Sequence, residues 1–525
     1  MLEAILGFFL TLHKSGALTE GIDMGRYLSL DMGAESGRLV IVDISSSAIT
    51  TEIVHRFETP VVHDDKGRRC WNFPVIIDEV IRALSLAAPK GPFISLGVDT
   101  WGLDYGLLDE NLNLVSLPVS HRDHRTDGYL EKASHIVGLE RLHFETGAQL
   151  LEINSIFQLL ATVENTPEEL QKSLHLQMMP DLILHALTGN IGTEYTIAST
   201  TGLYDTKGND WAFQLAADLG IPTHILGHVE DAGTPRGVLK KELQEVTGIG
   251  PLQCIATTSH DTASAVVATP LESPGSAYIS SGTWSLMGVE IDSPIINEVT
   301  LTERLTNEGG FDRSIRLLRN ITGLWIIQEV RRDLKSRGIE ISYVDLVDQA
   351  KSVENPWRTL FFVDSPIFVY AGEMISRIQE YARKTGQPVP ETPGEIAQAT
   401  FASLALQYAH TADVLAECSG LTMPAIHIVG GGAQNEHLSQ MTADLSQREV
   451  ITGPIEATAI GNAIVQAIAL GEITGIESAR EIIASSDTQF GRYQPISGES
   501  AREEIHLVRA RYEELIAQEL SQSGL

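Results

Sequence analysis

The chain has 525 residues, 43% of them hydrophobic, and carries 37 basic against 69 acidic side chains, for a formal net charge of −32. This length exceeds what one hydrophobic core usually serves, so two large globular domains are expected. The negative charge repels nucleic acid and anionic membranes, and we expect neither as a partner.

The three cysteines are far apart and form no CxxC pair. This argues against a zinc site or a disulfide framework and predicts free thiols in a reducing cytoplasm.

The N-terminus contains a short apolar run, residues 2–12. The run is too short to span a bilayer. It lacks the basic start and small-residue cleavage site of a signal peptide, so secretion is not expected. Met24 directly precedes the first strand-like run. We therefore interpret residues 1–23 as a dispensable extension and Met24 as the natural start.

The first half begins with a strand-rich segment. Apolar runs bounded by Gly- and Ser-rich turns predict strands at 27–31, 39–44 and 51–57. Apolar residues at helical spacing after a proline predict a helix at 74–87. The run 93–99 predicts a buried strand that ends in a polar loop.

The second half repeats this plan in order, although not in residue identity. Strands are predicted at 276–281, 286–291, 315–318 and 425–429, with helical stretches that include 393–418. The repeat places the ends of strands 93–99 and 425–429 at a shared cleft, where α/β proteins tend to bind ligands. From residue 498 onward an apolar stripe predicts an amphipathic closing helix. The stripe consists of Ile505, Val508, Tyr512 and Leu515.

The turn DMGAESGR, residues 31–38, joins two predicted strands. It matches neither the P-loop nor the Rossmann fingerprint, both of which join a strand to a helix. Its small residues offer donors to phosphate oxygens, and Asp31 can position a hydrated magnesium ion. A second tight turn, SSGTWS at 280–285, lies in the second half. Taken alone, the first turn is more simply explained as an ordinary hairpin turn.

The segment TSHDTASA, residues 258–265, places Asp261 between a strand-like run and an apolar helical run. A carboxylate there can accept the proton of an attacking hydroxyl during phosphoryl transfer. The alternative is that Asp261 only caps the following helix. We interpret His260 as a group that orients substrate or structure rather than as the base.

Glycines 430–432 follow the last predicted strand, within HIVGGGAQN. They permit the close approach of a flat purine and ribose. A structural turn between strand and helix explains such a run equally well. The combination of two tight turns, an acid between them and this strand end favours a nucleotide site.

In combination, the segments DMGAESGR, GVDTWGLDYGLL, SHDTASAV, SSGTWSLMG, TNEGG, GLWIIQ and HIVGGGAQN resemble the FGGY family of carbohydrate kinases. The resemblance runs from about residue 27 to about residue 475. It implies an α/β fold with two actin-like (ribonuclease H-like) domains and a central cleft for ATP and sugar. The expected domains are residues 24–267 and 268–480, followed by a helical tail at 481–525.

The resemblance also assigns roles to residues. It implies that Asp261 is the catalytic base and a substrate contact, and that Asp31 holds magnesium through water. The implied sugar contacts are Gly102, His260, Thr262 and Asn320. The implied ATP contacts are Ala34, Glu35, Ser36, Gly37, Arg38, Thr283, Gln328 and Gly431. Glu35 departs from the family pattern, because it places a carboxylate in the phosphate turn, where it disfavours phosphate unless it points away.

The function implied is ATP-dependent phosphorylation of a ketose, with L-rhamnulose and its carbon-1 hydroxyl as the expected acceptor. The alternatives are another ketose or polyol, such as L-fuculose or xylulose, and an actin-like ATP-dependent switch without kinase activity. The charged loop 121–127 either is solvated or lines the sugar side of the cleft. Among the tryptophans, Trp101 is the candidate for stacking on sugar.

Overall fold

The computed structural model describes residues 23–486 and 490–523. Residues 1–22 of the expected N-terminal extension lie outside this part of the chain. The strands of the first half are β1 (Asp23–Met32), β2 (Ser36–Ser45), β3 (Ile49–Glu58), β4 (Val61–His63), β5 (Arg69–Trp71), β6 (Ser95–Thr100), β7 (Tyr105–Leu108), β8 (His175–Met178), β9 (Thr193–Glu194), β10 (Tyr204–Asp205), β11 (Asp210–Trp211), β12 (Val229–Glu230), β13 (Thr234–Val238) and β14 (Gln253–His260). Its helices are α1 (Phe73–Ala87), α2 (Tyr129–Val137), α3 (Leu139–Thr146), α4 (Ser155–Asn165), α5 (Pro167–Lys172), α6 (Met179–Thr188), α7 (Tyr195–Ala198), α8 (Phe213–Asp218), α9 (Lys241–Thr247) and α10 (Asp261–Val267).

The second half has fewer strands and longer helices. Its strands are β15 (Ala277–Ser281), β16 (Ser285–Ile291), β17 (Thr306–Gly309), β18 (Ile315–Ile321), β19 (Ala425–Val429), β20 (Glu449–Thr452) and β21 (Arg492–Tyr493). Its helices are α11 (Glu298–Thr302), α12 (Trp325–Ser336), α13 (Tyr343–Lys351), α14 (Met374–Lys384), α15 (Pro393–Ser419), α16 (Glu436–Ser446), α17 (Ala457–Ala469), α18 (Ile476–Ser485) and α19 (Glu499–Ser523). The strands and helices expected from the sequence are confirmed, with ends that differ by a few residues.

Two sheets of the same design form the centres of the two halves. The first has the order β13-β14-β6-β1-β2-β3, in which β1, β6 and β14 are parallel and the other neighbours antiparallel. The second has the order β17-β18-β16-β15-β19-β20-β21, in which β15, β19 and β20 are parallel. Apart from the added edge strand β17, both sheets share one order and one set of directions. The repeated plan expected from the order of elements is therefore confirmed.

Alternation along the strands explains how helices cover both faces of the first sheet. In β1, Leu28 and Leu30 pack with residues of α1 and α6 on one face, whereas Tyr27 packs with α17 on the other. Strand β6 is buried along its whole length, as expected for a parallel strand covered on both faces.

Helix α17 belongs to the second half by sequence but packs on the sheet of the first. It does so through a buried polar seam: Gln466 donates to Leu28 O and accepts from Ser95 Oγ, and Asn462 donates to Asp99 Oδ2 at 2.5 Å. Gly97 has no room for a side chain because a Cβ there would lie 2.2 Å from Asn462 Oδ1. The seam fixes the two halves against each other beside the carboxyl ends of β1 and β6.

The core of the second half surrounds α15, a 27-residue helix that is buried along most of its length. Thr392 and Glu395 form a capping box at its start, and Gly420 ends it in a left-handed conformation. The predicted closing helix is confirmed as α19, whose apolar stripe joins this core. Strand β21, within the segment expected as a helical tail, pairs with β20.

Two expectations from composition concern thiols and membranes. The cysteines are free, with Cys70 and Cys254 buried and Cys418 partly buried. In the described stretches of the chain, no helix combines the length and the apolar character needed to cross a bilayer.

Candidate active site

Three neighbouring parallel strands of the first sheet end at the same edge. Asp31 on β1 lies opposite Asp99 on β6, and His260 at the end of β14 lies opposite Thr100 on β6. The next residue, Asp261, begins helix α10. Ligands of α/β sheets usually bind at the carboxyl ends of parallel strands. The acids predicted from separate motifs are therefore brought together at one edge.

Asp261 lies at this edge with its side chain 32% exposed. Its Oδ1 accepts hydrogen bonds from Thr262 N at 2.5 Å and from Thr262 Oγ1 at 3.2 Å. Asp261 is the first residue of the helix and the N-cap position is His260, so Asp261 does not act as the N-cap. Burial raises the pKa of the Asp261 carboxyl, His260 opposes that shift, and the charge of Asp31 adds to it. A carboxylate with a raised pKa is the stronger base.

Glu194 holds the strand end that precedes Asp261, and no local motif marks it in the sequence. This fully buried carboxylate accepts from Ser259 N at 3.1 Å and from Thr196 Oγ1 at 2.6 Å. Thr196 Oγ1 in turn accepts from His260 N at 3.1 Å. Burial raises the pKa of Glu194 to about 7. The main chain before Asp261 is thus fixed by one interior acid.

The first predicted phosphate turn is a tight hairpin between β1 and β2, closed by a hydrogen bond from Gly33 N to Ser36 O at 2.9 Å. Arg38 does not lie free beside it. Its guanidinium donates to Asp31 Oδ2 at 2.9 and 2.6 Å and lies 3.0 Å from Glu456 Oε2, just before α17. Arg38 therefore bridges Asp31 in the turn and Glu456 in the second half.

Glu35, the residue that departs from the family pattern, points between two arginines. Its carboxylate lies 3.6 Å from Arg122 in the charged loop and 3.6 Å from Arg332 on α12. Both guanidinium groups also lie within 6 Å of the centre of the Trp325 ring, at 5.9 and 5.4 Å. The two cations compensate the negative charge that the sequence places in the turn.

The nucleotide residues expected in the second half lie on three elements that meet. Thr283 is in the turn between β15 and β16, and its carbonyl accepts from Trp325 N at the start of α12 at 2.8 Å. Gln328 is on α12, and its Oε1 is buried without a hydrogen-bond partner. Gly431 follows β19 and is exposed, with open space where a Cβ would be. Because α12 carries both Gln328 and Arg332, it connects this group to the first turn.

The remaining sugar residues lie on different elements. Gly102 follows β6, and a Cβ there would lie 3.0 Å from Thr200 Oγ1. Asn320 is on β18, where its N and Nδ2 both donate to Gln149 Oε1, at 3.1 and 3.0 Å. Asn320 thus lies against a residue of the other half.

Trp101 is not available to stack on a sugar, contrary to the expectation. It is only 6% exposed and packs against Trp71 with ring centres 4.5 Å apart. The indole nitrogens of both rings donate to Asp104 Oδ2, at 2.9 and 2.7 Å, and His121 Nδ1 lies 2.9 Å from the same oxygen. Trp101 is a packing residue because Asp104, buried three positions later, holds its polar edge inward.

Asp99 is a further buried acid at the strand ends. Its Oδ1 has no hydrogen-bond partner, and its pKa lies well above the usual range because of burial and, next, the charge of Asp31. Among the described residues, no three His, Cys, Asp or Glu side chains are arranged to hold a metal ion directly.

Two family models match the chain. The model of the N-terminal domain of the FGGY family of carbohydrate kinases covers residues 26–268, and that of the C-terminal domain covers 277–470.

Curated relatives match most of the chain. A rhamnulokinase from Halalkalibacterium halodurans is 39% identical over 464 residues, which cover 88% of this chain and 97% of the relative. One from Oceanobacillus iheyensis is 38% identical over 460 residues, covering 87% and 96%. One from Bacteroides thetaiotaomicron is 37% identical over 461 residues, covering 88% and 94%.

Solved structures share the fold. A gluconate kinase from Lactobacillus acidophilus superposes with a TM-score of 0.77 at 17% identity, covering 94% of this chain and 98% of the other. A glycerol kinase from Plasmodium falciparum, solved with ADP, gives 0.75 at 17% identity, covering 93% and 97%. The predicted class, α/β with two actin-like domains, is confirmed.

Proposed function

Because the chain belongs to the FGGY family of carbohydrate kinases and is a carbohydrate kinase, we propose that it transfers the terminal phosphoryl group of ATP to the carbon-1 hydroxyl of L-rhamnulose. The products are L-rhamnulose 1-phosphate and ADP, and the step belongs to L-rhamnose catabolism. The choice of sugar is supported by the relatives, which carry the name rhamnulokinase and match along more than nine-tenths of their own length.

The observation that carries the proposal is the position of Asp261. It lies between β14 and α10, at the edge where β1 and β6 also end. In the proposed reaction, Asp261 accepts the proton of the carbon-1 hydroxyl as the new P–O bond forms. Phosphoryl transfer depends mainly on in-line positioning and charge neutralisation, so one well-placed carboxylate is enough.

ATP, when bound, supplies the phosphoryl group. We assign its phosphates to the first turn, through Ala34, Glu35, Ser36, Gly37 and Arg38, and to Thr283. Its base and ribose are assigned to Gln328 and Gly431. The buried, unpartnered Oε1 of Gln328 and the open space at Gly431 fit a ligand at these positions. In the first turn, Glu35 contributes its main chain, since its carboxylate is occupied by Arg122 and Arg332.

Magnesium is assigned to Asp31 through a water molecule, where it would compensate the charge of the phosphates. The sugar is assigned to Gly102, His260, Thr262 and Asn320, around Asp261. Closure of the two halves over both substrates would exclude water and limit ATP hydrolysis. Specificity then depends on a few hydroxyl contacts within this set.

The test is ADP release by the full chain with L-rhamnulose, L-fuculose, D-xylulose and related polyols. The proposal predicts the highest kcat/KM with L-rhamnulose and a 1-phosphate product. The Asp261→Asn variant, prepared in the same way, controls for contaminating kinases. A higher kcat/KM with another sugar would reassign the substrate. ATP consumption that is indifferent to every sugar would instead favour an actin-like switch.

A further inference from the structure

His260 connects Asp261 to an ion pair that belongs to the other half of the molecule. Its ring is 8% exposed, and Nε2 lies 3.4 Å from Asp261 Oδ1. On the opposite side of the ring, Nδ1 lies 3.0 Å from Arg316 Nη2 and 3.3 Å from Glu308 Oε2. Glu308 is on β17 and Arg316 on β18, at the edge of the second sheet.

The two partners of Nδ1 make opposite demands on the imidazole. A guanidinium can only donate, so the contact with Arg316 requires an unprotonated Nδ1. A carboxylate accepts, so a bond to Glu308 requires a proton on Nδ1. One nitrogen cannot satisfy both.

The geometry favours the contact with Arg316. Its distance to Nδ1 is shorter and has hydrogen-bond geometry, whereas Glu308 is within ion-pair distance only. Glu308 Oε2 is already bonded to the guanidinium, since Arg316 Nη2 lies 3.1 Å from it. Arg316 is fully buried, and its Nε is fixed by a bond to Gly309 O at 2.8 Å. The guanidinium therefore cannot turn away from the ring.

We propose that Arg316 is a positioning residue that holds His260 neutral, with its proton on Nε2 and directed at Asp261 Oδ1. The opposite tautomer would direct a lone pair at that carboxylate. Nε2 lies within ion-pair distance of Oδ1, which also accepts the two bonds from Thr262, so all three donors around the carboxylate face Oδ1. No donor among the described residues reaches Oδ2, which is left for the substrate hydroxyl. This inference rests on the proposed role of Asp261 as the base.

Because Arg316 belongs to the second half, the orientation of the base depends on how the two halves are docked. Strand β17 is held at this place by Gly309 N, which donates to Ser199 Oγ of the first half at 2.8 Å. If the edge of the second sheet moved away, His260 Nδ1 would lose both partners. The base would then lose the group that selects which of its oxygens is free.

The test is the tautomer of His260 in the full chain labelled with ¹⁵N-histidine, read from long-range ¹⁵N–¹H correlations. The signal is identified by its loss in His260→Gln. We expect a proton on Nε2 alone in the wild type. In Arg316→Met, Glu308 becomes the sole partner of Nδ1, and we expect the proton to move to Nδ1. The matched variant Glu308→Gln keeps the guanidinium and should keep the proton on Nε2.

Kinetics provide a second readout. Arg316→Met should lower kcat/KM for the sugar at least tenfold, which is part of the roughly 10²–10⁴-fold contribution of acid–base catalysis, and change KM for ATP less than about twofold. A wild-type proton on Nδ1 or on both nitrogens would overturn the proposal, and that measurement needs no folded Arg316 variant. A folded Arg316→Met protein that keeps the proton on Nε2 would do so too. The tautomer is read without substrate, so failure of the sugar assignment remains distinguishable.

Discussion

Replacing Gly461 by alanine should displace the helix that begins with Asp261. Helix α17 crosses α10 at this glycine, and a Cβ there would lie 1.8 Å from the carbonyl oxygen of Ser264 and 2.7 Å from its carbonyl carbon. Both atoms belong to the backbone, so no side-chain rotation can relieve the contact. Neither helix moves easily: Ser264 Oγ donates to Thr258 O at 2.7 Å, and Asn462 on α17 donates to Asp99.

The size of the effect follows from these distances. To restore even a close 3.0 Å contact, the helices must separate by roughly 1.2 Å at the crossing. Overpacking of this kind typically costs about 1–3 kcal/mol of unfolding free energy. Ser264 lies within one helical turn of Asp261, and a displacement of about 1 Å at a reacting group costs on the order of 100-fold in rate. We therefore expect kcat to fall about 100-fold in a protein that still folds.

The assay combines ADP release under saturating substrates with thermal unfolding. Gly227→Ala is the matched control, because its Cβ would meet only Thr193 Oγ1 at 3.5 Å, an ordinary contact. The control should retain wild-type kcat. If Gly461→Ala kept kcat within about threefold of the wild type, the helix crossing would not position the base.

Three further predictions concern the base, the nucleotide and the first turn. Asp261→Asn should lower kcat by about 10²–10⁴-fold while ATP binding, measured by calorimetry, persists. Asp261 works as a base only when it is unprotonated, and its pKa is raised, so kcat/KM of the wild type should fall on acidification at a pH above the ordinary aspartate pKa of about 3.9. Gln328→Met should raise KM for ATP with little change in Tm, because the Oε1 of Gln328 has no hydrogen-bond partner to lose. Gln466→Met breaks the buried bonds to Ser95 and Leu28 and should lower Tm by several degrees. Arg332→Ala should raise KM for ATP several-fold, because it releases the Glu35 carboxylate toward the phosphates. The double variant with Glu35→Gln should recover most of that loss of ATP affinity. Equal KM values in the single and double variants would show that Glu35 does not repel the phosphates.

The sequence predicted the two-sheet plan because each central strand is a continuous apolar run between turns. It predicted little of residues 101–250, where several strands have only two to four residues. Such strands are too short to show a period of two, and tertiary packing decides whether they form. The same limit hid β17, which is formed by the TNEGG segment and adds an edge strand beyond the repeated plan.

In the candidate site, too, the sequence predicts some residues and misses others. Asp261 and the two turns carry their chemistry in local motifs, so the sequence was informative about them. The partners that orient them are remote: Glu35 meets Arg332 from the other half, and Arg316 meets His260 from 56 residues away. No periodicity specifies these contacts, because they depend on how the two sheets dock. The burial of Trp101 has the same kind of cause, since it depends on packing against Trp71 at the end of β5, far away in the chain.

The junction of β14 and α10 is held from three directions. Glu194 fixes the main chain at Ser259 and, through Thr196, at His260. Gly461 on α17 fixes the axis of the helix, and Arg316 fixes the ring that faces the carboxylate. Only Glu194 among these groups belongs to the first half by sequence.

The residues assigned to the nucleotide lie on the same half as Arg316; they are Thr283, Gln328 and Gly431. Any movement of that half on binding ATP would therefore also move the group that orients the base. In-line transfer requires base, hydroxyl and phosphoryl group to be aligned together. The first half alone therefore cannot set the base, and alignment depends on how the second half is docked.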